Sequence, residues 1–279
     1  MNRKDTEAGR FYADIPDHPG LSLPSVTTVL GVVAKPSMVD WVARVERELV
    51  VNVAADLYEA VHGTPRMTRM AYTASLLRYV GEGRAGDKLK ARAGEIGTEL
   101  HGLIEWALLK EVGKEPPGRE PTFGQALAIP WAHWCDWRRE HKLSPQRVEQ
   151  TVWSIAHGYA GTIDCVAELD GHLTVMDWKT GRRIYPEARL QVAAYRHALI
   201  EMGHADRNIR AAVVRVPKTS ADRFEMATME PPDCEQAFET FLAARELWAW
   251  LRAQSETPMT ASNKPATTAQ EVTTCPSST

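Results

Sequence analysis

Cysteine is scarce in this chain. Four residues in 279, Cys135, Cys165, Cys234 and Cys275, lie far apart with no paired spacing, which argues against a disulfide scaffold and against a zinc site. Long apolar runs are missing as well: no stretch reaches the length of a membrane span. The opening "MNRKDTEAGRFYADIPDHPG" lacks the basic-then-apolar layout of a signal peptide, so the expected compartment is the cytoplasm. Charge of one sign is also lacking. A formal net charge of -3 and a pI near 6.3 exclude a protein coated in positive charge, but leave room for a local basic groove. No internal repeat is visible.

What is present reads as helical first and sheet-centred later. Residues 1–20 are polar and carry Pro16, Pro19 and Gly20, so a flexible N-terminus is expected. Residues 21–87 are expected as a helical arm or subdomain. There Ser25 can cap a short helix in "LPSVTTVLGVV", and Val39, Val42, Val45 and Leu49 recur at helical spacing. Two helices would reach about position 80, split near "HGTPR". A helix is expected over 88–110 and another over 122–142, the latter kinked or interrupted by Pro130. The pattern then changes. "QRVEQTVWSI", "YAGTIDCVAEL" and "HLTVMDWKT" read as strands, the last two joined by a compact Asp170-Gly171 turn. A helix over 186–202, strands in "IRAAVVRVP" and "RFEMATME", and a closing helix follow. The Thr-, Ser- and Pro-rich stretch 255–279 is expected to be a disordered tail. The fold class is therefore mixed α/β (α+β), with the core over 88–254.

The hairpin raises a chemical question. Alternation puts Val175, Asp177 and Lys179 on one side of a strand that otherwise reads as buried, with Met176 and Trp178 behind them. The Asp170-Gly171 turn folds the preceding strand back and sets Asp164 roughly opposite Asp177. Two carboxylates brought together repel unless a cation or proton lies between them, and an oxygen-rich site suits Mg2+ or Mn2+. A surface hairpin with ordinary charges is the bland alternative to "DxK" alone. The upstream helix weighs against it, because "RAGEIGTELHGLIEWALL" places His101 and Glu105 four residues apart on one face. Small Gly94 and Gly97 would let that helix approach the sheet. His101 can offer a ring nitrogen to a metal. Glu105 has three open roles: binding a second metal, orienting His101, or facing water. In "VEQTVWS" alternation puts Glu149 on the side of Thr151 and Trp153, at the site's edge. In "EARLQVAAYRHAL" Gln191 and Tyr195 share a helical face, where Gln191 can bond a phosphate, a base edge or Lys179, and Tyr195 can stack or hydrogen-bond. Arg182, Arg183, Arg189 and Arg196 are candidate phosphate contacts.

Taken together, "GTELH" at His101, "GTID" at Asp164, "DWKT" at Asp177 and Lys179, and "QVAAY" at Gln191 and Tyr195 resemble the PD-(D/E)xK nuclease superfamily, in its RecB-nuclease and Cas4-like exonuclease branch. "LPSVTTVLGVVAKPSMVDW" is similar to the N-terminal region of phage-encoded exonucleases of this kind. The resemblance implies a restriction-endonuclease-like core, a central mixed sheet flanked by helices, behind an N-terminal helical region. It implies a metal held by His101, Asp164, Asp177 and the Trp178 backbone carbonyl, with Lys179 positioning or activating the attacking water, and Gln191 and Tyr195 supporting the site. The proline that usually precedes the first motif Asp is replaced by Ile163. Cas4-like proteins often hold an iron-sulfur cluster on four cysteines; the spacing here departs from that arrangement, and no cluster is expected.

The implied activity is metal-dependent DNA exonuclease action in phage or bacterial replication, recombination or repair, on DNA with a free end. A recombination or single-strand-binding partner is compatible with it. The protein would act in the bacterial host cytoplasm if phage-encoded, without a membrane. Its rivals are a structure- or sequence-specific endonuclease, a DNA-binding recombination accessory protein with little nuclease activity, and an enzyme of RNA. Polarity, strand preference, the number of metals and oligomeric state are open at this stage.

Overall fold

The computed structural model describes residues 2–33, 43–52, 54, 74, 78, 85–118, 121 and 123–256. Five strands form the central sheet in sequence order: β4 (Leu143–Ser154), β5 (Tyr159–Leu169), β6 (His172–Lys179), β7 (Arg210–Arg215) and β8 (Glu225–Met229). All neighbours are antiparallel except β6 and β7, which are parallel. A parallel pair needs a crossover, and α4 (Pro186–Glu201) supplies it. Pro186 at its first turn costs no intrahelical bond there.

Helices cover both faces, as a sheet with two apolar faces requires. On one face α4 and α5 (Pro231–Glu256) pack with α1 (Val26–Val29), burying Val175, Val192, Tyr195, Val213 and Phe241. On the other lie α2 (Ala85–Glu111) and α3 (Ala128–Glu140), burying Leu100, Leu108, Trp137, Met176 and Trp178. The Trp137 and Trp178 rings meet edge to face at 5.3 Å between centroids. The alternation expected for β6 is thus observed: Val175 enters the first cluster, Met176 and Trp178 the second.

The Asp170-Gly171 turn has φ of 50° and 85°, the left-handed pair of a tight hairpin turn. The Asp170 carboxylate also accepts from the Lys142 backbone N–H at 2.9 Å and contacts His141 Nδ1 at 2.8 Å. That pins the start of β4 to the turn and fixes the register of three strands.

Three expectations change. Against the expectation of flexibility over 1–20 and of helix from 21 on, residues 2–24 form an antiparallel sheet of β1 (Asn2–Thr6), β2 (Gly9–Ile15) and β3 (His18–Pro24). The prolines and glycine that suggested looseness sit where such a sheet tolerates them: Pro16 in a turn, and Pro19 and Gly20 at the start of an edge strand. Ser25 does cap α1, accepting from the Thr28 N–H at 3.0 Å. Its own N–H donates to the Arg10 carbonyl, which ties the small sheet to the core. Second, Pro130 neither kinks nor interrupts α3. It lies in the helix's first turn, after a 3-10 turn over Gln125–Leu127, where a missing N–H is harmless. Third, strict alternation fails in β4, as detailed below. Most of the expected helical arm of 21–87 lies outside the described residues, as do Val39, Cys275 and the tail from 257. No helix among the described residues is long and apolar enough to cross a membrane.

Candidate active site

The site forms where β5 parts from β6. Their pairing ends at Cys165 and Met176, so the next step in register would join Asp164 to Asp177. In its place the Asp164 Oδ2 accepts from the Trp178 N–H at 2.8 Å, a side chain standing in for a ladder bond. β6 continues instead along β7 as far as Lys179 and Arg215.

A change of phase accompanies this split. In β5, Ile163 and Val166 pack on the α4 face, whereas Cys165 and Ala167 pack on the α2 face. A spacing of three on one face means that alternation slips by one residue at Asp164. β4 slips too: Val148 belongs to the α2 face and Val152 to the α4 face. The slip is at Glu149, whose φ is +50°, a strained conformation for a residue with a long side chain. The β4–β5 register passes from Val148–Cys165 to Gln150–Ile163 and skips the pair between. Paired irregularities of this kind re-aim side chains, and here the two re-aimed residues are Glu149 and Asp164. Glu149 therefore does not share a regular face with Thr151 and Trp153, as alternation had suggested.

Asp177 is gripped from two sides. Its Oδ1 accepts from Gln191 Nε2 at 2.8 Å, and Gln191 Nε2 also donates to the Tyr195 hydroxyl at 3.0 Å. Its Oδ2 lies 2.6 Å from Lys179 Nζ, a close ion pair that is the contact holding this buried oxygen. Asp177 is 1% exposed. Across the site His101 Nδ1, on α2, stands 3.4 Å from Asp164 Oδ2.

Glycines set how closely the helices approach. A Cβ on Gly161 would lie 2.3 Å from Tyr195 Cε1, so the Tyr195 ring rests directly on the β5 backbone and carries Gln191 towards Asp177. A Cβ on Gly97 would lie 2.9 Å from Thr180 Oγ1, so α2 comes close just past Lys179. Gly94 faces open space and has no such role.

The electrostatics follow from burial. Asp164 is raised to about 6, first by burial and then by the charge of Asp177, against the pull of His101, Lys179 and the Trp178 N–H. Glu149 is raised to about 8 by burial and by the charges of Asp164 and Glu105, and burial also raises Glu105. For Lys179 burial works to lower the value, but Asp177, Asp164 and Glu187 hold it above the ordinary lysine range. The ammonium is therefore kept protonated and suited to orienting and neutralising charge rather than to accepting a proton.

The sequence-predicted residues Asp164, Asp177, Lys179, His101, Gln191 and Tyr195 thus gather around one strand fork. Glu149 and Glu105 stand within electrostatic reach of Asp164 or of each other. Arg182, Arg183 and Arg189 are exposed, with Arg183 over the Tyr185 ring at 4.9 Å. Arg196 is a correction. It is 1% exposed, donates to the carbonyls of Ile209 and Arg207, and pairs with Glu235 at 2.9 Å. It anchors the loop before β7 and is not available to a phosphate. Cys165 is buried among apolar side chains, its thiol pushed up to about 12 by burial first. Among the described residues no group of three His, Cys, Asp or Glu side chains stands close enough to hold a metal ion by itself.

Sequence reasoning missed the part played by the small sheet. The Tyr12 hydroxyl is 2.9 Å from Thr162 Oγ1, two residues before Asp164. The only local sequence signal is the run Phe11, Tyr12 and Ile15 among polar residues.

The chain has likenesses among known proteins. Over 77 residues the chain is 36% identical to mitochondrial genome maintenance exonuclease 1 of Mus musculus, which is 25% of this chain and 23% of that protein's length. The crystal structure of SSO0001 is similar at 15% identity over 55% of this chain and 75% of that one, with a TM-score of 0.25. Residues 71–278 match the PD-(D/E)XK nuclease superfamily, and the chain belongs to that family.

Proposed function

We propose that this protein is a metal-dependent deoxyribonuclease that removes nucleotides from a DNA end by phosphodiester hydrolysis, within the RecB-like and Cas4-like branch of the superfamily and most like the phage-encoded enzymes. The single observation that carries the reading is the grip on Asp177. Burying a carboxylate between Gln191 and Lys179, beside a second carboxylate from the neighbouring strand, is costly, and costly, electrostatically perturbed groups of this kind cluster at functional sites. The likeness to a curated exonuclease supports action from an end.

The donor set fits Mg2+ or Mn2+ in kind: carboxylate oxygens of Asp164 and Asp177 and an imidazole, gathered at one fork. His101, Asp164, Asp177 and the Trp178 carbonyl would hold the metal, with Glu105 as a further donor. When bound, such an ion polarises the phosphate and lowers the pKa of water. The chain's own residues do the rest. Gln191 holds Asp177 in one rotamer, and Tyr195 holds Gln191. Lys179, kept protonated, places positive charge beside the attacking water and the developing negative charge. DNA with a free end is the substrate and host cytoplasm the setting, with a recombination or single-strand-binding protein as a compatible partner.

End-labelled single- and double-stranded DNA incubated with Mg2+, Mn2+ or EDTA tests the reading. Stepwise shortening from one end, abolished by EDTA, is expected. Undiminished cleavage by Asp177→Ala and Lys179→Ala would overturn the site, and release of internal fragments from circular DNA would overturn action from an end.

A further inference from the structure

A DNA strand brings one negative charge per phosphate, yet the site it must enter is rich in carboxylates. Glu105, Glu149, Asp164 and Asp177 interact repulsively there, and the one lysine at the fork is committed to Asp177. Positive charge to receive the strand must come from another element.

Besides the exposed Arg182, Arg183 and Arg189, the small N-terminal sheet supplies it. Across its ladders Arg3 stands opposite Tyr12, and Tyr12 opposite Leu23. Residues directly opposite share a face, so Arg3 points to the side on which Tyr12 bonds Thr162 of β5. Asp5 and its opposite partner Arg10 lie on the same face, two residues along. Asp5 binds both guanidiniums, Arg10 at 2.8 Å and Arg3 at 3.8 Å. Their side chains remain 40% and 56% exposed, and an arginine that gives one donor to a carboxylate keeps others for a phosphate. Arg3 is within electrostatic reach of Glu149, and Arg10 of Tyr195. Lys4 is the built-in contrast. It pairs with Phe11 on the opposite face, where Phe11 meets Trp248 of α5 at 6.3 Å. The whole sheet lies before residue 71, where the family match begins.

We propose that the β1–β2 hairpin is a phosphate-binding wall of the active-site cleft, with Arg3 and Arg10, paired through Asp5, contacting the backbone of the DNA strand whose scissile bond lies at Asp164 and Asp177. The proposal rests on the nuclease reading, but its test does not need cleavage. The probe is a fluorescein-labelled single-stranded DNA 30-mer, with binding to the full chain followed by anisotropy in EDTA across a salt series. Arg3→Gln should weaken binding several-fold and lower the slope of log Kd against log salt by about 0.7, the value for one phosphate contact on a single strand. Arg3→Lys should restore most of that slope, because it restores the charge. Lys4→Gln, which removes the same charge from the same strand, should change binding less than two-fold. Unchanged binding by Arg3→Gln, or an equal loss in Lys4→Gln, overturns the wall, as does a wild-type chain that binds no DNA. Failure of the wild type to cleave with any metal overturns the nuclease reading alone, since the binding series still decides the hairpin.

Discussion

The two sheets handle charge in opposite ways. The five-stranded sheet is covered on both faces, and its charged residues Asp177 and Lys179 are held by partners on β6 and α4. The three-stranded sheet leaves β1 exposed along its whole length, and its ion pairs, such as Asp5 with Arg10, stand in water. A charge in the first sheet is expensive and fixed in place, and a charge in the second is cheap and adaptable. Reaction chemistry needs the first property. Reception of a long, variable polyanion needs the second.

The comparison breaks most sharply at Asp177. Asp177→Ala should lower metal-dependent cleavage by at least about 10³-fold, comparable to losing a principal transition-state contact, while Arg3→Gln should act mainly on KM. Steady-state rates on a labelled oligonucleotide separate the two, and a kcat loss in Arg3→Gln as deep as that of Asp177→Ala would erase the distinction between the sheets. Next in size is Gly161→Ala. The added methyl meets the Tyr195 ring at 2.3 Å, and overpacking of this kind costs about 1–3 kcal/mol. Denaturant melts should show the loss. Activity should fall further than stability does, because Tyr195 carries Gln191 with it. Gly94→Ala, facing open space on α2, should instead stabilise by up to about 1 kcal/mol, the helix-propensity gain of alanine over glycine.

How far these differences could be read from sequence depends on the sheet. β5 and β6 were legible because apolar runs, an Asp-Gly turn and period-two spacing agree with one another. That spacing is what placed Lys179 beside Asp177. His101 and Gln191 were legible through the spacing and company of their neighbours. The N-terminal sheet was not legible, since β1 has no buried residue at all and the apolar seat of β2 and β3, Tyr12, Ile15 and Leu23 against Ala160, is too few residues to mark strands in the sequence. Glu149 was misread for another reason. Alternation presumes regular backbone, and the +50° φ that breaks it lies opposite Asp164, where β5 parts from β6, a tertiary coincidence absent from local sequence. Arg196 looked like its arginine neighbours because nothing in the helix pattern marks a cation that folds inward to cap a loop.

The cost of ionising Glu149 in its buried position can be weighed by pH. Its carboxyl is raised from 4.5 to about 8 in the folded protein, by burial first. Because the folded value lies above the unfolded one, any favourable balance at low pH is lost as pH rises towards 8: the folded state resists ionisation that the unfolded chain accepts freely. Asp164, raised to about 6, acts in the same sense over a lower range. Glu149→Gln should therefore match the wild type near pH 4 and exceed it near pH 8 in EDTA. At about 1.4 kcal/mol per pKa unit, with the carboxyl only partly removed from water, the gain is about 2 kcal/mol. Thermal or urea melts at the two pH values measure it. Equal gains at both would assign the effect to packing rather than to charge.

The smallest effect on global stability should come from the small sheet itself. Gly9 has φ of +116°, and a Cβ there would lie 2.5 Å from Thr28 Cγ2. Gly9→Ala therefore strains the β1–β2 turn by on the order of 1–3 kcal/mol and pushes against α1. The strain need not reach the core. If the small sheet can open before the rest, the cost to the whole fold is capped by the free energy of that opening, which is below the global value for a sheet seated on the core through the few apolar residues Tyr12, Ile15 and Leu23 against Ala160. Hydrogen exchange should then show protection falling across residues 2–24 while the amides of β5, β6 and β7 keep theirs. DNA binding should weaken along with the lost protection, because Arg3 and Arg10 are carried by the strands that open. Protection lost evenly through both sheets would mean that they fold as one unit, and that the exposed sheet is as fixed in place as the buried one.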